Sequence, residues 1–420
     1  MVNIGIIGVG TVGTSVIKIL ESNADIIEAR AGKKIVATIG AVRDIAKKRN
    51  LTIKLTDNPL EIVNDPEIDI VVELMGGVDD AFTLVKNALS NGKAVVTANK
   101  ALLAYHRYEL EELSGKTPLM YEASTAGGIP IIEALRSGLA ANNIDSIQGI
   151  MNGTTNYMLT KMIQEGAQYD EILAEAQELG YAEADPTFDV GGFDASHKLL
   201  ILASIAYGID AKPEDILIEG IEDITQTDVA FAKEFGYEIK LLGIAKRVDG
   251  GIELRVHPTM IPSSSMIAKV DGVMNAVSVV GDMVGETMYY GAGAGGDATA
   301  SAVVADIIDI VRGINVPMLG YNKRLVSGEK LLDRDKIVTQ YYIRLQADDE
   351  IGVLASVASV LEEYGISIES MLQKPTKDNT IAKLLFTTHL CQEKEMQRAI
   401  KALSALNNVH GTIAMIRIEK

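Results

Sequence analysis

One cysteine, Cys391, stands alone among 420 residues, so no intrachain disulfide framework is available and a reducing compartment is expected. Histidine is scarce as well. The five residues are scattered, with no HExxH spacing and no Cys/His cluster, so a catalytic zinc is not expected. Neither a GxSxG elbow nor a P-loop occurs, which leaves acyl transfer and ATP chemistry without apparatus. No apolar stretch reaches the roughly 18 residues that span a bilayer. The longest such run, 199–209, reads as a buried helix. The first residues run straight into a strand with no basic region and no cleavage site, and a cytoplasmic location is the expectation.

Positive charge is outweighed: 39 Lys and Arg face 57 Asp and Glu, a formal net charge of −18. Such a chain repels nucleic acid and anionic lipid, so neither is expected as a partner. Any anionic ligand must be met by locally placed cations. The balance of 47% hydrophobic and 23% charged residues suits a globular enzyme, and the length implies two or three domains.

The first 130 or so residues alternate β-branched runs (3–7, 35–42, 68–74, 94–97, 118–121) with helical periodicities (12–20, 79–91, 105–113), the pattern of a parallel α/β sheet. Helical periodicities then dominate (157–166, 169–179, 194–206), followed by strands at 238–247 and 251–258 and a helix at 297–312. Residues 318–338 read as a linker. Strand, helix, two strands, helix and strand (338–346, 353–364, 367–372, 380–388, 393–403, 411–418) close the chain in ferredoxin-like order. The expected fold class is α/β, with a Rossmann-type dinucleotide-binding domain (1–135 with helix 297–317) and an α+β catalytic and dimerisation domain (136–296). A βαββαβ module at 339–420 completes it.

Gly8, Gly10 and Gly13 stand directly after the first strand and directly before the first helix, with Thr11 and Val12 between them. Gly8 permits the tight turn and Gly10 lets backbone approach a pyrophosphate. Gly13 lets helix and strand pack closely, and the helix N-terminus attracts phosphate. The second strand ends Val42-Arg43-Asp44, followed by Lys47 and Lys48. Arg43 can neutralise a 2′-phosphate, which leans the cofactor towards NADP, while Asp44 leaves NAD open.

In the segment 181–198, the carboxylates Glu183, Asp185, Asp189 and Asp194 precede Lys198. Asp194 and Lys198 are four apart and share one helix face. A lysine oriented by a carboxylate and kept protonated is what a general acid to a forming alkoxide requires. Taken alone, the same spacing also fits a routine ion pair at a helix start.

This segment closely resembles the signature of homoserine dehydrogenases. In the same order follow Glu73-Leu74-Met75-Gly76-Gly77, Thr97-Ala98-Asn99-Lys100, 121–130, Asn152-Gly153-Thr154 and the glycine loop 291–296. The resemblance spans roughly residues 3–315. It implies NAD(P)-dependent interconversion of L-aspartate 4-semialdehyde and L-homoserine, in threonine, methionine and isoleucine biosynthesis. Lys198 would be the proton donor, Lys100 a second cation at the oxygen, and Asp194 the residue orienting Lys198. Glu183 and Asp189 would take the substrate ammonium, with Tyr181, Asn152, Gly153 and Thr154 around it. Gly76, Gly77, Thr97, Ala98, Lys100 and Gly293 would join the glycine loop and Arg43 around the cofactor. The turn with Glu122, Thr125, Gly127 and Ile129 is similar to the family's Na⁺ or K⁺ site, built largely from backbone carbonyls. His197 reads as structural, and Asp185 before Pro186 as a turn former.

The closing module resembles the ACT family of amino-acid-binding regulatory domains through Asp349-Glu350-Ile351-Gly352-Val353-Leu354 and Tyr364-Gly365-Ile366-Ser367-Ile368. That implies a homodimer or homotetramer and control by an amino acid, with threonine the expected effector. It also implies a separable tail, whose removal at 340 leaves activity intact. Two alternatives stand beside this reading: another amino-acid dehydrogenase, and an amino-acid sensor whose catalytic part is silent.

Overall fold

The computed structural model describes residues 1–323, 329–375 and 380–420. Of the expected linker 318–338, residues 324–328 lie outside the described residues. The chain forms two compact units, one of 1–153, 194–215 and 273–329, the other of 154–193, 216–272 and 330–420.

The first unit is built on a six-stranded parallel sheet. Its order is Lys54–Thr56, Ile35–Ala41, Val2–Ile7, Ile70–Glu73, Ala94–Thr97, Leu119–Met120. Strands Ile70–Glu73 and Ala94–Thr97 are buried along their whole length because helices cover both faces, so they read as unbroken apolar runs rather than alternations. Helix Gly296–Val311 brings Ala300, Val303, Val304 and Ile307 into the same core as Ile4, Ile6, Val16 and Leu20. It crosses helix Thr11–Ser22 closely: a Cβ on Gly296 would lie 2.9 Å from Ser15 Oγ. The antiparallel strands Ile144–Ile150, Met274–Gly281 and Gly285–Ala292 complete the unit. Their short, mixed patterns carry no clean period, and they were not legible in the sequence. The run 199–209 is indeed largely helix: Phe193–Tyr207 buries nearly all its side chains.

The helix expected at 105–113 begins earlier, at Lys100, because Asn99 Oδ1 accepts the Leu102 N–H at 3.1 Å and caps it. That places Lys100 in the first turn of a rigid element.

The second unit carries helices Gly153–Glu165, Tyr169–Glu178 and Gln226–Glu234, and the hairpin Tyr237–Val248/Gly251–Pro262. It also carries the expected closing module. There the strand order is Val409–Ile418, Val338–Asp348, Ile381–Thr388, Ile368–Pro375, all antiparallel. Helices Val353–Glu363 and Glu393–Ser404 place Val357, Leu361, Met396 and Leu403 in one core with Tyr341, Ile343 and Phe386.

The module is not an appended bead. Its last strand also pairs with Gly251–Pro262, aligning Thr259 with Arg417 and Met260 with Ile418. The buried Asp228, on helix Gln226–Glu234, accepts from Arg344 Nε at 2.7 Å and Tyr342 Oη at 2.8 Å. Arg255, fully buried, is bonded to Glu419. The packing opposes the expectation of a separable tail: removing 339–420 would open a strand edge, leave the buried Asp228 without Arg344 and take Glu419 from Arg255, which keeps Glu253. A chain ending at residue 338 is expected to melt earlier and to partition into aggregates. Full soluble yield with an unchanged melting temperature would show the module to be dispensable.

Candidate functional site

The glycine loop after strand Val2–Ile7 is shaped by contacts that exclude a side chain. Gly8 has φ +101°, and a Cβ there would meet the Leu74 carbonyl at 2.6 Å. A Cβ on Gly13 would meet Gly8 O at 2.5 Å, so the helix packs tightly under the loop. Around Gly10, by contrast, space is open, and Gly10 precedes helix Thr11–Ser22 without a side-chain cap. The helix N–H groups beside Thr11 and Val12 thus face room for an anion. A cavity of about 500 Å³ lies here, lined by Gly8, Val9, Gly10, Val42, Arg43, Arg49, Leu74 and Met75 among others.

This cavity sharpens the reading of the second strand's end. Arg43 lines it; Asp44, Lys47 and Lys48 are not among its lining residues. Asp44 Oδ1 instead accepts the Ala46 N–H at 2.9 Å, a local turn. Arg49, which the sequence reading missed, also lines the cavity and donates to the Asp44 carbonyl at 2.7 Å. Its position, six residues beyond Arg43 in an irregular stretch, carries no periodic signal.

At the same, C-terminal edge of the sheet, after the neighbouring parallel strand Ile70–Glu73, Gly76 and Gly77 turn the chain with φ of +73° and +78°. The Gly77 carbonyl accepts from Asn99 Nδ2 at 2.7 Å. Thr97 is buried and donates to Glu73 Oε2 at 2.7 Å, while its hydroxyl accepts the Asn99 N–H at 3.0 Å. Burial pushes the Glu73 carboxyl upward, against the hydrogen bonds from Thr97 and the Met75 N–H. Through this chain of bonds the 74–77 loop and the turn Thr97-Ala98-Asn99-Lys100 hold one another. Glu73 and Asn99 stand in the motifs that carry the resemblance, but their mutual support is visible only in the fold.

Lys100, at that helix start, meets Asp194 Oδ1 at 2.5 Å. Asp194 Oδ2 accepts from Lys198 Nζ at 2.7 Å and from Asn152 Nδ2 at 2.9 Å. Lys198 Nζ also donates to the Met151 carbonyl at 2.7 Å. One carboxylate therefore spans two ammonium groups. The side chain of Asp194 is 3% exposed, that of Lys198 11% and that of Lys100 34%. Burial opposes ionisation of Asp194, but the Lys198 and Lys100 charges together outweigh it and hold the carboxyl well below the usual carboxylate range. His197 is buried, which pushes its imidazole downward, and its ring meets Tyr105 edge-on at 5.7 Å.

Gly153 follows Asn152 where the chain needs no side chain: a Cβ would meet the Val273 carbonyl at 2.7 Å. In the same unit, Gly127 and Gly293 pack against each other, since a Cβ on Gly127 would lie 2.6 Å from Gly293 O. Ala126, at φ +54°, is the non-glycine residue with positive φ among the described residues. The Glu122 carboxylate accepts the Ile132 and Glu133 N–H groups at 2.8 and 2.7 Å, and its own N–H donates to Asp306 Oδ2 at 2.8 Å. Burial pushes Glu122 up to about 7 and Asp306 well above its usual value. The Glu122 carbonyl accepts the Thr125 N–H and that of Ile129 the Ile131 N–H, each leaving a second lone pair.

The signature segment 181–198 is divided between the units. Asp194 to Lys198 belong to the first, Tyr181 to Phe193 to the second. In the second, Thr154 Oγ1 donates to the Tyr181 carbonyl at 2.6 Å, and Tyr181 meets Tyr157 edge-on at 5.0 Å. Glu183 is exposed, and its carbonyl accepts from Gln177. Asp185 Oδ1 accepts the Thr187 N–H at 3.1 Å and forms the expected turn. Asp189 lies half-buried in the short helix Thr187–Val190.

Among the described residues no group of three His, Cys, Asp or Glu side chains is arranged to hold a metal ion, and no helix is long and apolar enough to cross a membrane.

Comparison with known proteins agrees with this geometry. Residues 8–119 match the model of the homoserine dehydrogenase NAD-binding domain, 130–308 that of homoserine dehydrogenase, and 341–408 that of the ACT domain. The chain is 53% identical to a homoserine dehydrogenase of Helicobacter pylori, over 99% of each chain. It is similar to the crystal structure of a homoserine dehydrogenase from Thiobacillus denitrificans, with TM-score 0.94, 47% identity and coverage of 100% of this chain and 98% of that one. A hyperthermophilic archaeal homoserine dehydrogenase in complex with NADPH aligns with TM-score 0.63 and 28% identity, over 77% of this chain and 99% of that one.

The two ammoniums around Asp194 also set an acid limit. With its carboxyl held below the ordinary value near 4, Asp194 contributes stability that is complete above that ordinary value and is lost progressively as pH falls below it through the lowered folded-state value. Asp194→Asn, which leaves two cations facing an amide, is expected to destabilise the fold by about 3 kcal/mol at neutral pH. The gap to wild type should narrow below about pH 4. Urea unfolding midpoints measured from pH 7 downward check this, and a pH-independent gap would contradict it.

Proposed function

The chain belongs to the homoserine dehydrogenase family, and on that premise we propose that it interconverts L-aspartate 4-semialdehyde and L-homoserine with a nicotinamide dinucleotide, a step towards threonine, methionine and isoleucine. The observation that carries this reading is the shared carboxylate, Asp194, with Lys100 at 2.5 Å and Lys198 at 2.7 Å. When bound, the dinucleotide supplies or takes the hydride.

The chain's own residues handle charge and proton. In reduction, Lys198 donates a proton to the aldehyde oxygen as negative charge develops there, and Lys100 offers a second positive charge to the same oxygen. Asp194 orients both lysines and stays ionised throughout. In the reverse direction neutral Lys198 takes the hydroxyl proton. Glu183 and Asp189 bind the substrate ammonium, with Tyr181, Asn152, Gly153 and Thr154 shaping its surroundings. Under this reading 1–135 with 297–317, which contains most of helix Gly296–Val311, binds the cofactor, 136–296 the substrate, and 339–420 an effector.

NADP is the preferred cofactor in this proposal. Support comes from two arginines, Arg43 and Arg49, on the cavity wall and from an Asp44 side chain engaged in its own turn. Gly76, Gly77, Thr97, Ala98 and Gly293 complete the cofactor's surroundings by their place next to the loops described above. Na⁺ or K⁺ is proposed at the carbonyls of Glu122, Thr125, Gly127 and Ile129. The buried carboxylates of Glu122 and Asp306 favour a cation there, since it would offset the burial that opposes their ionisation.

Assembly as a homodimer or homotetramer is supported by exposed Met283, Val284 and Tyr290 along the outer strand Gly285–Ala292 and its turn. Feedback by threonine at the ACT module is supported by the fully exposed Ile351 beside Gly352, which caps helix Val353–Glu363 at φ +95°. A reducing cytoplasm suits the lone Cys391 thiol, which burial pushes up to about 11.

NADPH oxidation with aspartate semialdehyde, or NADP⁺ reduction with homoserine, tests the reaction; absence of turnover in both directions would overturn it. Lys198→Ala is expected to lower turnover about 10²- to 10⁴-fold while NADPH still binds by its fluorescence. Arg43→Ala and Arg49→Ala should each raise KM for NADP⁺ about tenfold, with KM for NAD⁺ nearly unchanged. Equal effects on both cofactors would remove the case for a 2′-phosphate site.

A further inference from the structure

Arg417 sits near the end of the closing strand, beyond the ACT match at 341–408, and is completely buried. A buried guanidinium demands acceptors for its planar fork of donors. It has two carboxylates. Nε and Nη2 donate to Glu393 at 2.9 and 2.7 Å, and Glu393 begins helix Glu393–Ser404 of the module itself. Nη1 and Nη2 donate to Glu219 at 2.7 and 2.9 Å, and Glu219 lies outside the module altogether. Tyr341 Oη and Gln397 Nε2 donate to Glu393 at 2.8 Å each, so that half of the network is internally complete.

The Glu219 half leads elsewhere. Its backbone N–H donates to the Val256 carbonyl at 2.8 Å, which continues the pairing of Leu217–Ile218 with Gly251–Pro262. Two residues on, the Ile221 N–H donates to the Val190 carbonyl at 3.0 Å. Gly220 has no room for a side chain, since a Cβ would lie 2.6 Å from the same Val190 oxygen. Gly192, with φ +84°, packs its backbone on the same segment, 3.4 Å from the Glu219 carbonyl to a built Cβ. Val190 closes the short helix Thr187–Val190 and is the residue after Asp189. A single guanidinium of the C-terminal module thus grips the segment 219–221 on which the Asp189 loop rests.

The geometry points to Arg417 as a positioning residue for the substrate loop, acting through its bidentate pair with Glu219, so that the C-terminal module completes the support of the ammonium-binding loop. This rests on the assignment of Asp189 to the substrate's ammonium group. It gives the module a part in substrate affinity even with no effector present. It also supplies a physical route by which a change in the module reaches the loop: any shift of the closing strand moves Arg417, and Glu219 must follow or lose its partner.

The test uses the full-length chain with Glu219→Gln and Arg417→Met. Glu219 is 34% exposed and its replacement leaves Arg417 paired with Glu393, so this variant keeps its fold even if Arg417→Met does not. In Glu219→Gln, KM for homoserine is expected to rise about tenfold with kcat within about twofold. NADPH affinity by fluorescence should be unchanged, because the cofactor cavity is lined by residues of the other unit. Amide hydrogen exchange across 187–192 should quicken about tenfold, with exchange in helix Glu393–Ser404 unaltered. An unchanged KM for homoserine, or unchanged exchange in 187–192, overturns the proposal. So does a parallel loss of NADPH affinity, which would mark general loosening. If the wild-type chain turns over no homoserine, the functional reading fails, and the exchange measurement still decides whether Arg417 holds the loop.

Discussion

Asp194 is the point on which the candidate chemistry depends. A carboxylate removed from water is unstable unless opposite charge lies against it, and here two ammonium groups do so from different elements. Lys198 arrives from the same helix, one turn on. Lys100 arrives from a helix that starts at the C-terminal edge of the parallel sheet. The arrangement keeps two cations at one spot in a chain whose net charge is −18. It meets locally what the global field opposes, and any group that develops negative charge there finds compensation already in place.

The cofactor side follows from a different constraint, the exclusion of side chains. Gly8 and Gly13 are required by contacts of 2.6 and 2.5 Å that no Cβ could survive, whereas Gly10 faces open space that a phosphate could use. The buried Glu73–Thr97–Asn99 chain then fixes the double-glycine turn relative to the start of the Lys100 helix. The double-glycine turn and Lys100 are therefore not independently placed. A disturbance of Glu73 would be felt at both.

The C-terminal module shows how an ACT domain can be built into the unit that carries it. It has a complete core and could be drawn as a bead on a linker, but its last strand serves two partners, Asp228 and Glu219 take counter-charges from the module, and Arg255 takes from it one of its two carboxylates. Buried ion pairs add little net stability against an apolar alternative, yet breaking one is costly, and this makes them stringent devices for holding register.

The glycine spacing, the four-residue offset of Asp194 and Lys198, and the strand–helix order of the closing module were all legible in the sequence. Each is set by short-range sterics and periodicity, which a linear chain displays directly. Other features came only from folding. Lys100 shares the carboxylate of Asp194, Asp44 is engaged by the Ala46 N–H while Arg49 joins Arg43 on the cavity wall, and the signature segment divides between two units. Arg417 reaches Glu219 across the module's edge. The Lys100–Asp194 and Arg417–Glu219 pairings join residues far apart in the chain and obey no local period. They were decided by which partner the buried Asp194 and Arg417 found once the cores had packed, since a buried charge without one is not tolerated.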